Sequence, residues 1–229
     1  MDPMAAVPSH RPRRRRSLSP PAAVIMRPLT PATGETALTL AIFDLDNTLL
    51  GGDSDYLWGR FLIEKGIVDA EFYERENHRF YEEYKAGTLD IFEFLRFSLR
   101  PLRENDLETL YAWRERFVEE KIRPIMLPAA RRLIGEHRER GDRPLIITAT
   151  NSFITRPIAE ALGIEELIAT DPAFEAGRYT GDVAGTPCFR EGKVERLHAW
   201  LAETGENLAG ASFYSDSHND LPLLELVAH

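Results

Sequence analysis

The segment LTLAIFDLDNTLL (Leu38–Leu50) stays apolar through Phe43 and then turns polar, the pattern of a fully buried strand over Leu38–Phe43. GGDSDYLWGRFLIEKGIVD comes next as a helix, with Asp53 or Ser54 as its N-cap. From about Asp69 to Lys121, aromatic and aliphatic residues recur at helical spacing (Phe72, Phe80, Tyr84; Phe92, Leu95, Leu99; Leu110, Trp113, Phe117). Gly87 and Pro101 fall at breaks, and no stretch there reads as a strand. Alternation then begins. LPAARRLIGEHRERG is an amphipathic helix opened near Pro128 and stopped by Gly141. RPLIITAT is a second buried strand, SFITRPIAEALGI a helix, ELIAT a short strand, and AFEAGRYTGDV a hairpin turning at Ala176–Gly177. EGKVERLHAWLAETG is helical, ASFYS is a strand, and HNDLPLLELVAH is a closing helix. Strands alternating with helices predict an α/β fold: a Rossmann-like parallel sheet with helices on both faces. A helical block is inserted after the first strand, so the core is expected over 37–52 and 125–229 and the inserted cap over 53–124.

Composition narrows the class. A chain of 229 residues with 43% hydrophobic and 28% charged positions suits one domain with an inserted subdomain, or two small ones. The net charge of −9 divides unevenly: residues 1–36 carry +4, so the remainder carries −13 and is a poor partner for nucleic acid. Cys188 is the single cysteine, which excludes an internal disulfide and a cysteine-based zinc site and fits a cytoplasmic setting. No apolar run approaches the roughly 18–20 residues that span a bilayer, so no membrane association is expected. Residues 1–36 are rich in Pro, Arg, Ser and Ala without periodicity and are expected to form a disordered basic tail, or a leader upstream of a start at Met26. The arginines Arg11–Arg16 lack the apolar core of an export signal, because Pro20 and Pro21 break the short apolar stretch on their C-terminal side.

Three apolar strands end in polar groups: Asp44 and Asp46, Thr148 and Thr150, then Ser215 and Asp216 with Asp220 just beyond. In an open α/β sheet, ligands bind outside the carboxyl ends of the strands. If these strands are neighbours, the acids converge on one rim, where their mutual repulsion calls for a cation. Hard oxygen ligands with open positions suit Mg2+. Lys193, early in its helix, reaches the same rim, and a lysine with carboxylates and a hydroxyl makes a site for a phosphoryl group. One aspartate can attack phosphorus while another handles the proton. Singly, these signals are a turn, a helix cap, a solvated lysine and a polar loop. Their order and shared strand-end placement give the combination its force.

With these residues in place, the chain from about Leu38 onward resembles the haloacid-dehalogenase superfamily of phosphohydrolases, in the branch related to phosphoserine phosphatase with a helical C1-type cap. DLDNT matches the Asp-x-Asp-x-Thr/Val signature, which implies Asp44 as nucleophile and Asp46 as acid/base. LIITAT matches the strand ending in Ser or Thr and Lys193 matches the motif lysine, so the resemblance implies phosphate binding by Thr150, Asn151 and Lys193. YSDSHND matches the acidic motif. The resemblance implies Mg2+ held by the Asp44 carboxylate, the Asp46 backbone carbonyl and Asp216, with Asn219 and Asp220 behind them and Asp220 orienting Lys193. Asp53 stands where an acidic residue contacts a substrate amino group.

The phrases LLGGDSDYLWGRFLIEKGIVD, RPIMLPA, ITATNSFITRPIA and GTPCFREGKV also resemble a bacterial histidinol-phosphatase-like group. Asn151–Ser152, where phosphoserine phosphatases carry two glycines, and the SDSHND version of the acidic motif depart from phosphoserine phosphatases proper. His218 is a candidate at the edge of the site, and Arg96, Arg100 and Arg123 are candidate carboxylate binders in the cap. The family continues into one more strand and helix, so a chain stopping at His229 is expected to leave a sheet edge uncovered. The expected function is Mg2+-dependent hydrolysis of a small phosphorylated, amino-bearing metabolite, with L-histidinol phosphate favoured. A phosphoserine phosphatase or a phosphotransferase is the alternative within the class, and a phospho-aspartate receiver switch the alternative outside it. The large helical insertion and Asp46 speak against a receiver. Nucleic-acid binding through Arg11–Arg16 would be weak and salt-sensitive.

Overall fold

A computed structural model describes residues 39–229. The tail expected over 1–36 and the Leu38 start of the first strand lie outside the described residues. The described residues belong to one compact unit.

Five strands form one sheet in the order β4-β3-β2-β1-β5. They are β1 (Leu40–Phe43), β2 (Arg143–Asn151), β3 (Glu166–Glu175), β4 (Arg178–Ala184) and β5 (Ser212–Tyr214). β1 pairs in parallel with both β2 and β5, which makes neighbours of the three strands that end in acids and threonines. Period-2 geometry divides β1 between two cores. Ala41 and Phe43 join Ile134, Ile146, Phe153 and Ile158 on one face; Leu40 and Ile42 join Leu145, Ile147, Leu197 and Leu223 on the other. Helices therefore cover both faces, as the alternation predicts.

The insertion holds helices α1 (Ser54–Glu64), α2 (Ala70–Ala86), α3 (Ile91–Ser98), α4 (Arg100–Glu104) and α5 (Leu107–Phe117), then a π-turn over Val118–Ile122 and a 3-10 turn over Arg123–Ile125. Asp53, Asp69, Asp90 and Asp106 each cap a helix by accepting backbone N–H groups of its first turn, which spends part of the chain's acidity on local structure. Gly87 ends α2 at φ 73°, a conformation that favours glycine. Entry to and exit from the insertion are tied together: Gly51 N–H donates to Ile125 O (2.8 Å), and Leu127 N–H donates to Leu49 O (3.1 Å). Trp58, Phe61 and Phe117 of the insertion pack in one buried cluster with Phe153 of the core, so the helical block is seated directly over the sheet's first face.

The remaining helices are α6 (Pro128–Glu139), α7 (Ser152–Ala161), α8 (Glu191–Thr204) and α9 (Leu221–Leu224). Two expectations change. The short strand ELIAT and the first arm of the hairpin are one continuous strand: β3 leaves β2 at Thr170 and pairs antiparallel with β4 from Asp171. Its hairpin turns at Ala176–Gly177 as expected, both at positive φ (47° and 81°). The closing helix is shorter than the pattern suggests, a 3-10 turn over His218–Asp220 followed by the four residues of α9. Beyond it the chain returns to the sheet, where Phe213 N–H donates to His229 O (2.9 Å).

Candidate active site

The carboxyl ends of β1, β2 and β5 open into a cavity of about 950 Å³ roofed by the insertion. At its floor, Lys193 Nζ donates to Asp44 Oδ1 and to Asp220, both at 2.8 Å. The three side chains are almost wholly enclosed, with Lys193 3%, Asp44 6% and Asp220 2% exposed. Ser215 Oγ donates to Asp220 as well (2.6 Å). Two buried carboxylates thus share one ammonium. Burial alone would lower the lysine's pKa, but Asp44 and Asp220 outweigh it and hold the ammonium charged. The Asp44 carboxyl is pushed up to about 7 by burial, with Asp220 and Asp46 adding to the effect and Lys193 opposing it.

Asp46 faces another way. Its Oδ1 accepts Ser54 N–H (2.7 Å) and its Oδ2 accepts the Thr150 hydroxyl (2.8 Å). Burial, reinforced by Asp53, raises it to about 6. A turn at Asn47 (φ 57°) follows the two carboxylates, and Leu45 O accepts the N–H groups of Leu49 and Leu50 to close it.

Thr48, which strand-end reasoning passes over, joins the motifs. Its hydroxyl lies 3.5 Å from Asp44 Oδ2 and 3.2 Å from Asp216 Oδ1, and it accepts Asp216 N–H (3.2 Å). One hydroxyl proton cannot serve both carboxylates, so this pair is left short of positive charge. Among the described residues, no group donates to the Asp46 carbonyl oxygen. Nor do three Asp, Glu, His or Cys side chains among them gather closely enough to hold a metal. Two carboxylates and one free carbonyl, all hard oxygens, nevertheless match what Mg2+ takes while it keeps several waters. The donor set fits the ion.

The other expected residues divide. Thr150 is buried and bound to Asp46. Asn151 lines the cavity, but its Oδ1 caps α7 through Ile154 N–H (3.3 Å) and its Nδ2 donates to Asp55 (3.4 Å), so its side chain reaches phosphate only by releasing those partners. Asp53 lies on the cavity wall with Oδ1 capping α1. Asn219 Oδ1 accepts Arg190 Nε–H (3.0 Å). His218 is exposed on its turn and does not line the cavity. Arg96, Arg100 and Arg123 do not line it either: Arg100 pairs with Glu104 and Arg123 with Glu119 on the outer surface. Arg60 does line it, paired with Glu74 at 2.8 Å. Asp55, also unanticipated, lines it as a carboxyl raised to about 6 by burial.

Residues 41–225 match the family described as haloacid dehalogenase-like hydrolase. A histidinol-phosphatase of Neisseria meningitidis serogroup C (strain 8013) is 48% identical over 193 residues, covering 82% of this chain and 87% of that protein. A crystal structure of a Bordetella pertussis Tohama I protein of unknown function superposes with a TM-score of 0.79 at 45% identity, covering 85% of this chain and 89% of the other. A substrate-bound phosphoserine phosphatase shares the fold, with a TM-score of 0.62 at 22% identity over 84% of each chain.

Proposed function

The chain belongs to the haloacid dehalogenase-like hydrolases and is a phosphatase, and from that premise we propose that it hydrolyses L-histidinol phosphate through a phosphoryl intermediate on Asp44. The observation that carries this reading is the division of labour between the paired aspartates. Lys193 holds one oxygen of Asp44 and leaves the other facing the cavity, while Asp46 is turned onto Thr150 and Ser54.

The free Asp44 oxygen forms the new bond to phosphorus as the bond from phosphorus to the substrate oxygen breaks. Asp46, raised to about 6, is protonated often enough near neutrality to give its proton to the departing alkoxide. In the second step Asp46 takes a proton from water, whose oxygen attacks phosphorus. The Asp44 carboxylate is released along with inorganic phosphate. Lys193 and the Thr150 hydroxyl lie beside the phosphoryl oxygens and offset their charge. Mg2+, held by Asp44, Asp216 and the Asp46 carbonyl, would neutralise the remaining anionic charge when bound. The cavity walls carry Asp53 and Asp55, which favour a cationic amine on the leaving group.

The substrate is supported by the Neisseria relative's name and by these acids, and a panel tests it. Purified protein with Mg2+ is given L-histidinol phosphate, L-phosphoserine and other phosphomonoesters, and released phosphate is measured. The expected result is a kcat/KM for L-histidinol phosphate at least about tenfold above every other member, the discrimination that about 1.4 kcal/mol of differential binding provides. A preference for phosphoserine would overturn the substrate while leaving the chemistry in place.

A further inference from the structure

Arg190 stands at φ 51°, ψ −121°, a conformation that suits glycine and that other residues keep only where their surroundings hold them. Its surroundings do. Nε donates to Asn219 Oδ1 (3.0 Å), Nη2 donates to Gly87 O (3.1 Å), and the guanidinium lies 4.9 Å from the centre of the Phe189 ring. Gly87 ends α2 at the tip of the insertion, whereas Asn219 belongs to the acidic turn of the core. One side chain therefore joins the insertion to the acidic turn, whose Asn219 lines the cavity. Beside it, Tyr84 OH and Ser217 Oγ make a second bridge of 2.9 Å across the same seam.

Both bridges lead to the reacting groups. The Arg190 carbonyl accepts Lys193 N–H (2.9 Å) in the first turn of α8. Ser217 N–H donates to Ser215 Oγ (3.0 Å), Ser215 Oγ donates to Asp220, and Lys193 links Asp220 to Asp44. The loop that presents Arg190 packs closely on itself: a Cβ on Gly192 would sit 2.1 Å from Pro187 O, so no side chain fits there.

We propose that Arg190 is a positioning residue: its guanidinium latches the tip of the insertion to the acidic turn, and the docked latch holds Lys193 and Asp220 in their reactive arrangement. The inference rests on the proposed chemistry for the role of Lys193 but not for the latch itself. Arginine suits the task because its planar fork serves two acceptors at once, which a lysine ammonium on this strained backbone does not.

The test compares wild type with Arg190→Gly, Arg190→Lys and Tyr84→Phe. Hydrogen–deuterium exchange is followed over residues 84–89 and 215–220, and phosphate release is followed with L-histidinol phosphate and p-nitrophenyl phosphate. Glycine accepts the positive φ without strain, so Arg190→Gly is expected to fold with a melting temperature near wild type. Its exchange over both segments should rise about tenfold, and kcat should fall by a similar factor with both substrates. Arg190→Lys should track Arg190→Gly, and Tyr84→Phe should move the same way by less. Unchanged exchange in Arg190→Gly would overturn the latch, as would a wild-type-like Arg190→Lys. A lowered melting temperature with unchanged kcat would reduce Arg190 to a structural role. A wild-type protein releasing no phosphate would sink the proposed function alone, because the exchange comparison decides the latch without turnover.

Discussion

Asp44→Asn is expected to lower phosphate release by at least about 10⁴-fold, because it removes the proposed attacking oxygen, and losses of that order accompany deletion of a covalent nucleophile. The same substitution should leave the protein folded, and above neutral pH it should stabilise the metal-free form. The sign comes from proton linkage. Asp44 binds its proton up to about pH 7 in the folded chain but only within the ordinary carboxylate range when unfolded. The folded state therefore holds more protons between about pH 4 and pH 7, and stability contributed by Asp44 declines as pH rises through that window. In chelator, the melting temperature of Asp44→Asn minus that of wild type should grow from pH 4 to pH 8. A difference that shrinks would contradict the buried, crowded carboxylate. Asp46→Asn should also lose turnover, yet its affinity for Mg2+, read by calorimetry, should stay near wild type, since only its backbone carbonyl would serve the ion in the proposed site. Asp44→Asn should weaken that affinity. Equal losses of Mg2+ affinity in the two variants would erase the division between them.

The second large effect belongs to Lys193. Lys193→Met leaves Asp44 and Asp220, both buried, without the cation they share. Removing one partner of such a buried arrangement costs about 3–5 kcal/mol. For a domain of this size, a loss of 1 kcal/mol lowers the melting temperature by roughly 2–4 °C, so a drop of roughly 6–20 °C is expected. Phosphate release should fall by about 10²–10³-fold or more, as for loss of a fixed charge at a developing anion. Adding Asp220→Asn removes one stranded carboxylate and should recover much of the stability with none of the activity. Lys193→Met melting within 2 °C of wild type, which is less than about 1 kcal/mol of loss, would show that the lysine is not the counter-ion of the pair.

The alternation of apolar strands and amphipathic helices is legible because burial fixes residue type at Leu40, Ile42, Leu145 and Ile147 whatever the neighbours do. The rim is legible for a related reason: carboxylates directly after such strands have no structural excuse, and the β2-β1-β5 order brings them together. The partner exchange in β3 is hidden, because Asp171 and Pro172 look like a loop between strands although the backbone runs on. In the insertion, the outward arginines Arg100 and Arg123 read like ligands until their i,i+4 partners Glu104 and Glu119 are seen, while Arg60 is betrayed by nothing in its local pattern. Asn151 comes directly after Thr150 in the motif, but its side chain serves as a helix cap. Thr48 could have been found as the last position of DLDNT. Arg190 could not, because no local sequence signal marks an arginine destined for positive φ.

A covalent bond between Asp44 and phosphorus is the centre of the proposed chemistry. Asp46→Asn should still form that bond with p-nitrophenyl phosphate, whose leaving group departs without a proton, but should discharge it slowly for want of a base. Radiolabelled p-nitrophenyl phosphate is mixed with Asp46→Asn and Mg2+ and quenched in acid, and the protein is digested and mapped. The predicted result is label on the peptide containing Asp44, removed by hydroxylamine and absent when Asp44→Asn is added to the variant. Label on another residue, or turnover with none bound to protein at any time, would contradict it.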